Sequence, residues 1–155
     1  MTVRVFVECY ADAALVRTLG VERGRIRHER SKGNVVNRVE ESEQAIGLID
    51  EDPASAQPRA LAAYEVFAQG EGLKLLASRA RGQKRIIVIQ PRLEDWILER
   101  AAVSGLRPSK YGLPGGPQEL HRIPRYDLKE GYTRLLRDLC EKDAGVRRLA
   151  KWISD

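Results

Sequence analysis

Short runs of apolar residues predict the strands of this chain. Three runs, at residues 3–7, 45–49 and 86–89, are rich in β-branched side chains and do not alternate cleanly with polar residues. Such runs are typical of strands covered on both faces, as in a parallel sheet. A short polar run at 25–29 predicts a further strand near an edge of the sheet, and the pattern at 73–81 favours a strand over a helix.

Helical spacing of apolar residues separates or follows these runs. The pattern predicts helices over residues 12–19, 34–43, 59–69 and 93–103, the second of them starting at Asn34, a good N-cap residue. The first, third and fourth stop at glycines, namely Gly20, Gly70 and Gly105. This alternation predicts an α/β fold, with a mainly parallel central sheet of about four to five strands flanked by helices.

The chain changes character at residues 104–126. Four of the seven prolines and several glycines and cations fall there, which predicts a basic, irregular loop, and irregular connections longer than about 12–15 residues are usually functional or disordered. A capping-box pattern at 127–130 predicts the start of a C-terminal helix with Tyr132 and Leu136 facing inward, and a last short helix follows. We therefore divide the chain into an α/β core at 1–103, the loop at 104–126, and C-terminal helices at 127–155 that pack on the same domain.

Composition narrows the class of protein. With 155 residues, 43% hydrophobic and 32% charged, the chain fits one globular domain and neither a disordered nor a membrane-spanning protein. It enters a strand pattern at its first residues, so we expect no secretion signal and a cytoplasmic protein. Two cysteines are too few for a disulfide framework. The net charge of +5 is compatible with a polyanionic partner.

Acidic residues follow the three clearest strands. Glu8 follows the first, Asp50 and Asp52 the second, and Glu94 comes shortly after the third. Carboxyl ends of parallel strands share one edge, so these side chains are expected to meet in one crevice. Carboxylates brought together repel one another unless a cation neutralises them, and their hard oxygen atoms suit Mg²⁺ or Mn²⁺. In an extended chain Asp50 and Asp52 would point to the same side and supply two ligands.

Each acid also has a purely structural interpretation. Asp12, Asp50 or Asp52 could cap the helix that follows it, and Glu94 fits the first turn of a helix, where a negative charge is favourable. The joint position of Glu8, Asp50 and Asp52 favours the metal-site interpretation.

These acidic segments resemble the TOPRIM family of metal-binding α/β domains. The segment from Glu8 to Asp12 resembles the family's V-E-G-x-x-D segment, with Cys9 where the family usually has glycine, and Asp50-Glu51-Asp52 resembles its Asp-x-Asp segment. The resemblance covers roughly residues 3–91 and is closest to small stand-alone TOPRIM-like proteins and to the nuclease domain of OLD-family proteins. Residues 91–96 resemble a P-x-x-E-x-W segment found in some of those small proteins.

The resemblance implies a divalent-metal-dependent nuclease or a related phosphoryl-transfer enzyme. Asp50 and Asp52 would hold Mg²⁺, Glu8 would complete the metal shell or act as general acid or base, and Glu94 would be a further ligand. Four cations are the candidates for binding nucleic acid: Lys32, in the turn before a helix, Arg92, and Arg122 and Arg125 in the basic loop.

Other interpretations stay open. The chain could be a non-catalytic nucleic-acid- or protein-binding module with the same fold, and Lys32 could belong to a plain turn. A phosphatase or receiver-like pocket ranks lower, because the first strand is followed only by Glu8. We expect nucleic acid as a partner and no membrane, and a homodimer remains an alternative.

Overall fold

Six strands and six α-helices form the part of the fold that the structure describes. The computed structural model describes residues 3–80 and 83–154. The strands are β1 (Arg4–Val7), β2 (Ile26–His28), β3 (Ala45–Asp50), β4 (Tyr64–Gly70), β5 (Leu73–Ser78) and β6 (Lys84–Ile89). The helices are α1 (Tyr10–Thr18), α2 (Lys32–Glu41), α3 (Leu93–Val103), α4 (Pro117–Arg122), α5 (Glu130–Lys142) and α6 (Ala144–Ser154).

The strands make one mixed sheet in the order β2-β1-β3-β6-β5-β4. β2, β1, β3 and β6 are parallel, whereas β5 runs antiparallel to both β6 and β4. Val7 pairs with Leu48 and Asp50 pairs with Ile89, so the carboxyl ends of β1, β3 and β6 lie side by side. The predicted α/β fold with a mostly parallel sheet flanked by helices is confirmed.

Side-chain alternation along the central strands builds a core on each face of the sheet. On one face, Ile46 and Leu48 join the larger core with residues of α1, α3, α5 and α6. On the other face, Ile49 and Ile86 join the smaller core with the valines of α2. Gly47 lets α2 approach the sheet closely, since a Cβ atom there would lie 2.9 Å from side-chain carbons of both Val35 and Val39.

The helix predicted at 59–69 is wrong. A short 3₁₀ turn at Arg59–Ala63 leads directly into β4, which pairs antiparallel with β5. The apolar residues that suggested a helix are instead split between the turn and a strand that is exposed along much of its length. This strand makes the sheet larger than the four to five strands expected.

Several element boundaries also differ from the predictions. Helix α2 is capped by Ser31, whose Oγ accepts a hydrogen bond from the Asn34 backbone, so Asn34 is not the cap. The capping box at 127–130 is wrong, because the side chain of Asp127 bonds to Arg125 and α5 begins without a side-chain cap. The segment 104–126, expected to be irregular, contains α4 and a 3₁₀ turn at Pro108–Tyr111.

Other sequence predictions hold. Strand β5 lies within the predicted 73–81 strand, of which residue 81 lies outside the described residues, and β2 is a short edge strand. Helix α3 has the predicted bounds, and Tyr132 and Leu136 of α5 are fully buried.

The C-terminal helices pack against the α/β core. The hydroxyl of Tyr132 donates a hydrogen bond to the carbonyl of Ala11 at 3.1 Å. Asp143, buried between α5 and α6, accepts a hydrogen bond from the backbone of Val146 at 2.9 Å and lies 3.5 Å from the Arg100 guanidinium. In the described part of the chain, no helix is both long and apolar enough to cross a lipid bilayer.

Candidate functional site

Glu8 and Asp50 meet at the carboxyl edge of the sheet. Glu8 comes directly after β1, and Asp50 is the last residue of β3. The Oε2 atom of Glu8 accepts a hydrogen bond from the backbone N–H of Asp50 at 2.6 Å. The parallel register of β1 and β3 therefore brings together two of the predicted site residues.

Asp12 joins this pair from the first turn of α1. Cys9 caps the helix, and its Sγ accepts a hydrogen bond from the backbone N–H of Asp12 at 3.5 Å. The Asp12 residue is only 1% exposed. Its Oδ1 atom and the Oδ1 atom of Asp50 are both buried, and neither has a hydrogen-bond partner among the described residues.

The environment of these carboxyl groups favours their neutral forms. Burial, and next the charge of Glu8, raises the pKa of Asp50 to about 7. Burial, followed by the charges of Asp50 and Glu8, raises the pKa of Asp12 well above its ordinary value. Burial also raises the pKa of Glu8, against the opposing effects of its backbone hydrogen bond and of Lys32. The carboxyl groups are thus close enough to destabilise one another's charges.

Glu94 belongs to the same neighbourhood. It lies in the first turn of α3, is 7% exposed, and its charge contributes to the raised pKa values of Asp12 and Asp50. Its Oε1 atom is 2.6 Å from Nδ1 of His121, and its Oε2 atom accepts a hydrogen bond from the hydroxyl of Tyr126 at 3.2 Å. Contacts from α4 and the following turn thus fix the Glu94 side chain.

Asp52 does not extend the strand as expected. Its φ is +39°, so the chain is not extended at this residue, and the alternation that would place Asp50 and Asp52 on one side does not apply. Its Oδ1 atom lies 3.2 Å from Nη2 of Arg92. Asp52 and Arg92, expected to bind metal and nucleic acid respectively, form an ion pair with each other.

Lys32 is the first residue of α2 and is 8% exposed. Its Nζ atom donates to the carbonyl of Glu51 at 2.8 Å, to Oγ of Ser55 at 3.0 Å and to Oε1 of Gln57 at 3.2 Å. The ammonium group of Lys32, predicted to bind phosphate, therefore makes hydrogen bonds that hold the segment after β3 against α2.

A polar cavity of about 420 Å³ opens beside Glu94, between α3 and α4. Arg92, His121 and Arg122 line it with Glu94, so it gathers two of the predicted nucleic-acid-binding residues. Arg125 is not among its lining residues. The Arg125 guanidinium forms two hydrogen bonds of 2.9 Å with Asp127, and its Cζ atom lies 3.8 Å from the ring centroid of Tyr10.

The site fits a divalent cation in its chemistry but is not arranged around one. Carboxylate oxygens are the ligands that Mg²⁺ and Mn²⁺ prefer, and two of them here are buried without partners. Across residues 3–80 and 83–154, however, no three His, Cys, Asp or Glu side chains have the arrangement of a metal site. Metal binding would therefore require side chains of this cluster to change conformation.

Three members of this neighbourhood, Asp12, His121 and Tyr126, were not among the predicted site residues. Asp12 had a usable signal, because it stands four positions after Glu8 and the intervening Cys9 caps α1, which places Asp12 in the first turn of the helix. His121 and Tyr126 lie far along the chain from Glu94, and no local pattern links them to it.

Comparisons of the chain with protein-family models, with curated proteins and with solved structures found no match.

Proposed function

We propose that this protein is a Mg²⁺- or Mn²⁺-dependent phosphoryl-transfer enzyme of the TOPRIM-like kind, a nuclease that acts on nucleic acid. The observation that carries the proposal is a pair of buried carboxyl oxygens, Oδ1 of Asp12 and Oδ1 of Asp50, that have no hydrogen-bond partner among residues 3–80 and 83–154. The charges of Glu8 and Glu94 oppose the ionisation of both aspartates.

Such an arrangement lowers the stability of the folded protein unless a ligand binds these oxygen atoms. Each buried polar atom without a hydrogen bond costs about 1–3 kcal/mol, and mutual repulsion adds to that cost. A divalent cation would offset both contributions at once, because it is a ligand for the oxygens and neutralises their charge. Strongly perturbed carboxyl groups of this kind are concentrated at functional sites.

In this proposal the carboxylates bind the metal ion and the arginines bind the substrate. Glu8, Asp12 and Asp50 would hold the cation, with Asp52 and Glu94 as further carboxylates. A bound Mg²⁺ supplies charge neutralisation at a phosphate and lowers the pKa of water. Arg92 and Arg122, in the cavity beside Glu94, would bind phosphates of the nucleic-acid backbone.

Metal binding is tested by thermal unfolding during a titration with MgCl₂ or MnCl₂. We expect the melting temperature to rise, since a ligand that binds only the folded state stabilises it. The rise should disappear in Asp50→Asn. It should persist in Glu99→Gln, which changes an exposed carboxylate of α3.

Cleavage is tested with plasmid and single-stranded substrates in the presence of either cation. We expect cleavage that requires the metal and is lost in Asp50→Asn and Asp12→Asn. Absence of cleavage on every substrate, or cleavage that both variants retain, would contradict the proposal.

The second candidate is a non-catalytic nucleic-acid-binding module with the same fold. The ion pair between Asp52 and Arg92 favours this candidate. Arg92 neutralises Asp52, an expected metal ligand, so this carboxylate needs no metal ion. This candidate predicts nucleic-acid binding that weakens with salt but is unaffected by EDTA. The enzyme proposal predicts instead that EDTA abolishes turnover.

A further inference from the structure

A second and larger cavity lies at the opposite end of the parallel strands. Its volume is about 880 Å³, and Val3, Gln44 and Gln83 line it. These residues directly precede β1, β3 and β6, whereas Glu8 and Asp50 stand at the other ends of β1 and β3. We call this cavity the α6 groove, because residues 144–152 of α6 form one wall and strands β4 and β5 form another. It is separate from the carboxylate cluster.

The interior of the α6 groove is apolar. Ala68 of β4, Leu75 and Ala77 of β5, and Trp152 of α6 line it. Phe67, at an irregularity in the pairing of β4 with β5, is 76% exposed and also lines the groove. A cavity of this size and lining can accept a bulky apolar side chain from another molecule.

The groove is bordered by cations. Arg85, Arg147, Arg148 and Lys151 line it, and no Asp or Glu of the described residues is among its lining residues. Arg148 forms an ion pair with Glu71, and Arg85 donates a hydrogen bond to the carbonyl of Trp152 at 3.2 Å. Arg147 and Lys151 are exposed, and neither makes an ion pair within the described ranges. As far as the described residues go, these two cations can meet an anionic partner.

We propose that the α6 groove docks an acidic protein segment, with one apolar side chain in the groove and flanking carboxylates on Arg147 and Lys151. Charge complementarity selects an anionic partner, and the apolar interior selects a segment with an apolar anchor. A single-stranded nucleic acid fits less well, because its unpaired bases bind best to exposed aromatic faces on which they stack. Trp152 is 8% exposed, which leaves only the ring of Phe67 for stacking among the residues of the groove.

The test begins with selection of random peptides about 12 residues long on the wild-type protein, counter-selected on the double variant Arg147→Glu/Lys151→Glu. We expect enriched peptides to be acidic and to share an aromatic or large aliphatic residue. The best synthetic peptide should bind the wild type at least about tenfold more tightly than the double variant. Phe67→Ser should also weaken binding.

The matched control is Arg137→Glu/Lys142→Glu, which makes the same change of net charge at exposed positions of α5. It should bind the peptide within about twofold of the wild type, and all variants should keep the wild-type melting temperature. Failure to enrich peptides, enrichment of neutral or basic ones, or equal loss in the control would overturn the proposal. So would an oligothymidylate of similar length that displaces the peptide and binds more tightly.

Discussion

At the scale of single residues, Asp12 is the most deeply buried carboxyl group of the site. It is 1% exposed and has one oxygen atom without a partner among the described residues, with Asp50 and Glu8 as charged neighbours. The capping thiol of Cys9 holds the start of the helix but brings no positive charge. The residue therefore favours the folded state only when it is neutral or when a cation is present.

We predict that Asp12→Asn stabilises the metal-free protein and abolishes its response to metal. In EDTA at pH 8, replacing this buried titratable group by a neutral amide should raise the free energy of unfolding by about 1 kcal/mol, measured by urea denaturation. The rise in melting temperature caused by Mg²⁺ should be lost in the same variant. Glu141→Gln, at an exposed position, should change neither quantity appreciably. A destabilised Asp12→Asn protein would show that the carboxylate has an unrecognised structural partner.

Asp50 gives the protein a specific dependence on pH. Its pKa is raised in the folded state to about 7, so between pH 4 and pH 7 the folded state binds more protons than the unfolded state does. Stability due to this group is therefore present at low pH and is lost as the pH rises through that window. We predict that Asp50→Asn, compared with wild type in EDTA, gains about 2–4 kcal/mol of relative stability between pH 4 and pH 8. A difference in free energy that does not vary with pH would refute the assignment.

At the scale of elements, Lys32 connects α2 to the segment after β3. Its three hydrogen bonds reach Glu51, Ser55 and Gln57, and Asp52 lies within the segment they hold. The sequence could indicate that Lys32 stands near a helix start, but not that its ammonium group would be buried against residues about twenty positions away.

We predict that Lys32→Ala acts first on stability. Loss of hydrogen bonds from a charged donor should lower the free energy of unfolding by about 1.5–3 kcal/mol. Arg92→Ala, whose side chain is half exposed, should leave stability within about 0.5 kcal/mol of wild type and weaken nucleic-acid binding instead. The two variants are compared by urea denaturation and by binding to a labelled oligonucleotide. If Lys32→Ala weakened binding without loss of stability, Lys32 would be a direct phosphate ligand.

The local pattern of apolar residues predicted the strands that are buried along most of their length. It did not predict the strand whose conformation depends on pairing with a neighbouring strand. Strands β1, β3 and β6 are buried on both faces, so continuous apolar runs revealed them. β4 carries several apolar residues but is exposed along much of its length, so its burial gives no clear pattern, and pairing with β5 determines its conformation. In the site, parallel strand ends brought Glu8 to Asp50, as the sequence indicated. The left-handed conformation of Asp52 and the contacts of Glu94 with His121 and Tyr126 depend on tertiary packing.

At the scale of the whole molecule, the two candidate sites lie at opposite ends of the parallel strands. The carboxylate cluster lies at the carboxyl ends of the parallel strands and the α6 groove at their amino ends. A strand of six residues such as β3 spans about 20 Å. Direct electrostatic coupling between exposed charges is largely screened beyond about 8–10 Å at physiological salt.

We therefore predict that the two surfaces act independently. A variant that combines Asp50→Asn with Arg147→Glu/Lys151→Glu should lose its response to Mg²⁺ as Asp50→Asn does. It should lose peptide affinity as the double variant does, with the free-energy changes additive within about 0.5 kcal/mol. Calorimetric titrations of each variant with metal and peptide measure both quantities. A larger deviation from additivity would mean that docking and metal binding are coupled.

The position of β4 also bears on how the purified protein behaves at high concentration. β4 ends the strand order, and Val66 and Phe67 on it are 51% and 76% exposed. An exposed edge strand with large hydrophobic side chains can pair with the same strand of another molecule and so promote aggregation. Replacing Phe67 with lysine would place a charge on this edge strand and oppose such pairing. Samples of that variant should stay monodisperse for spectroscopy or crystallisation.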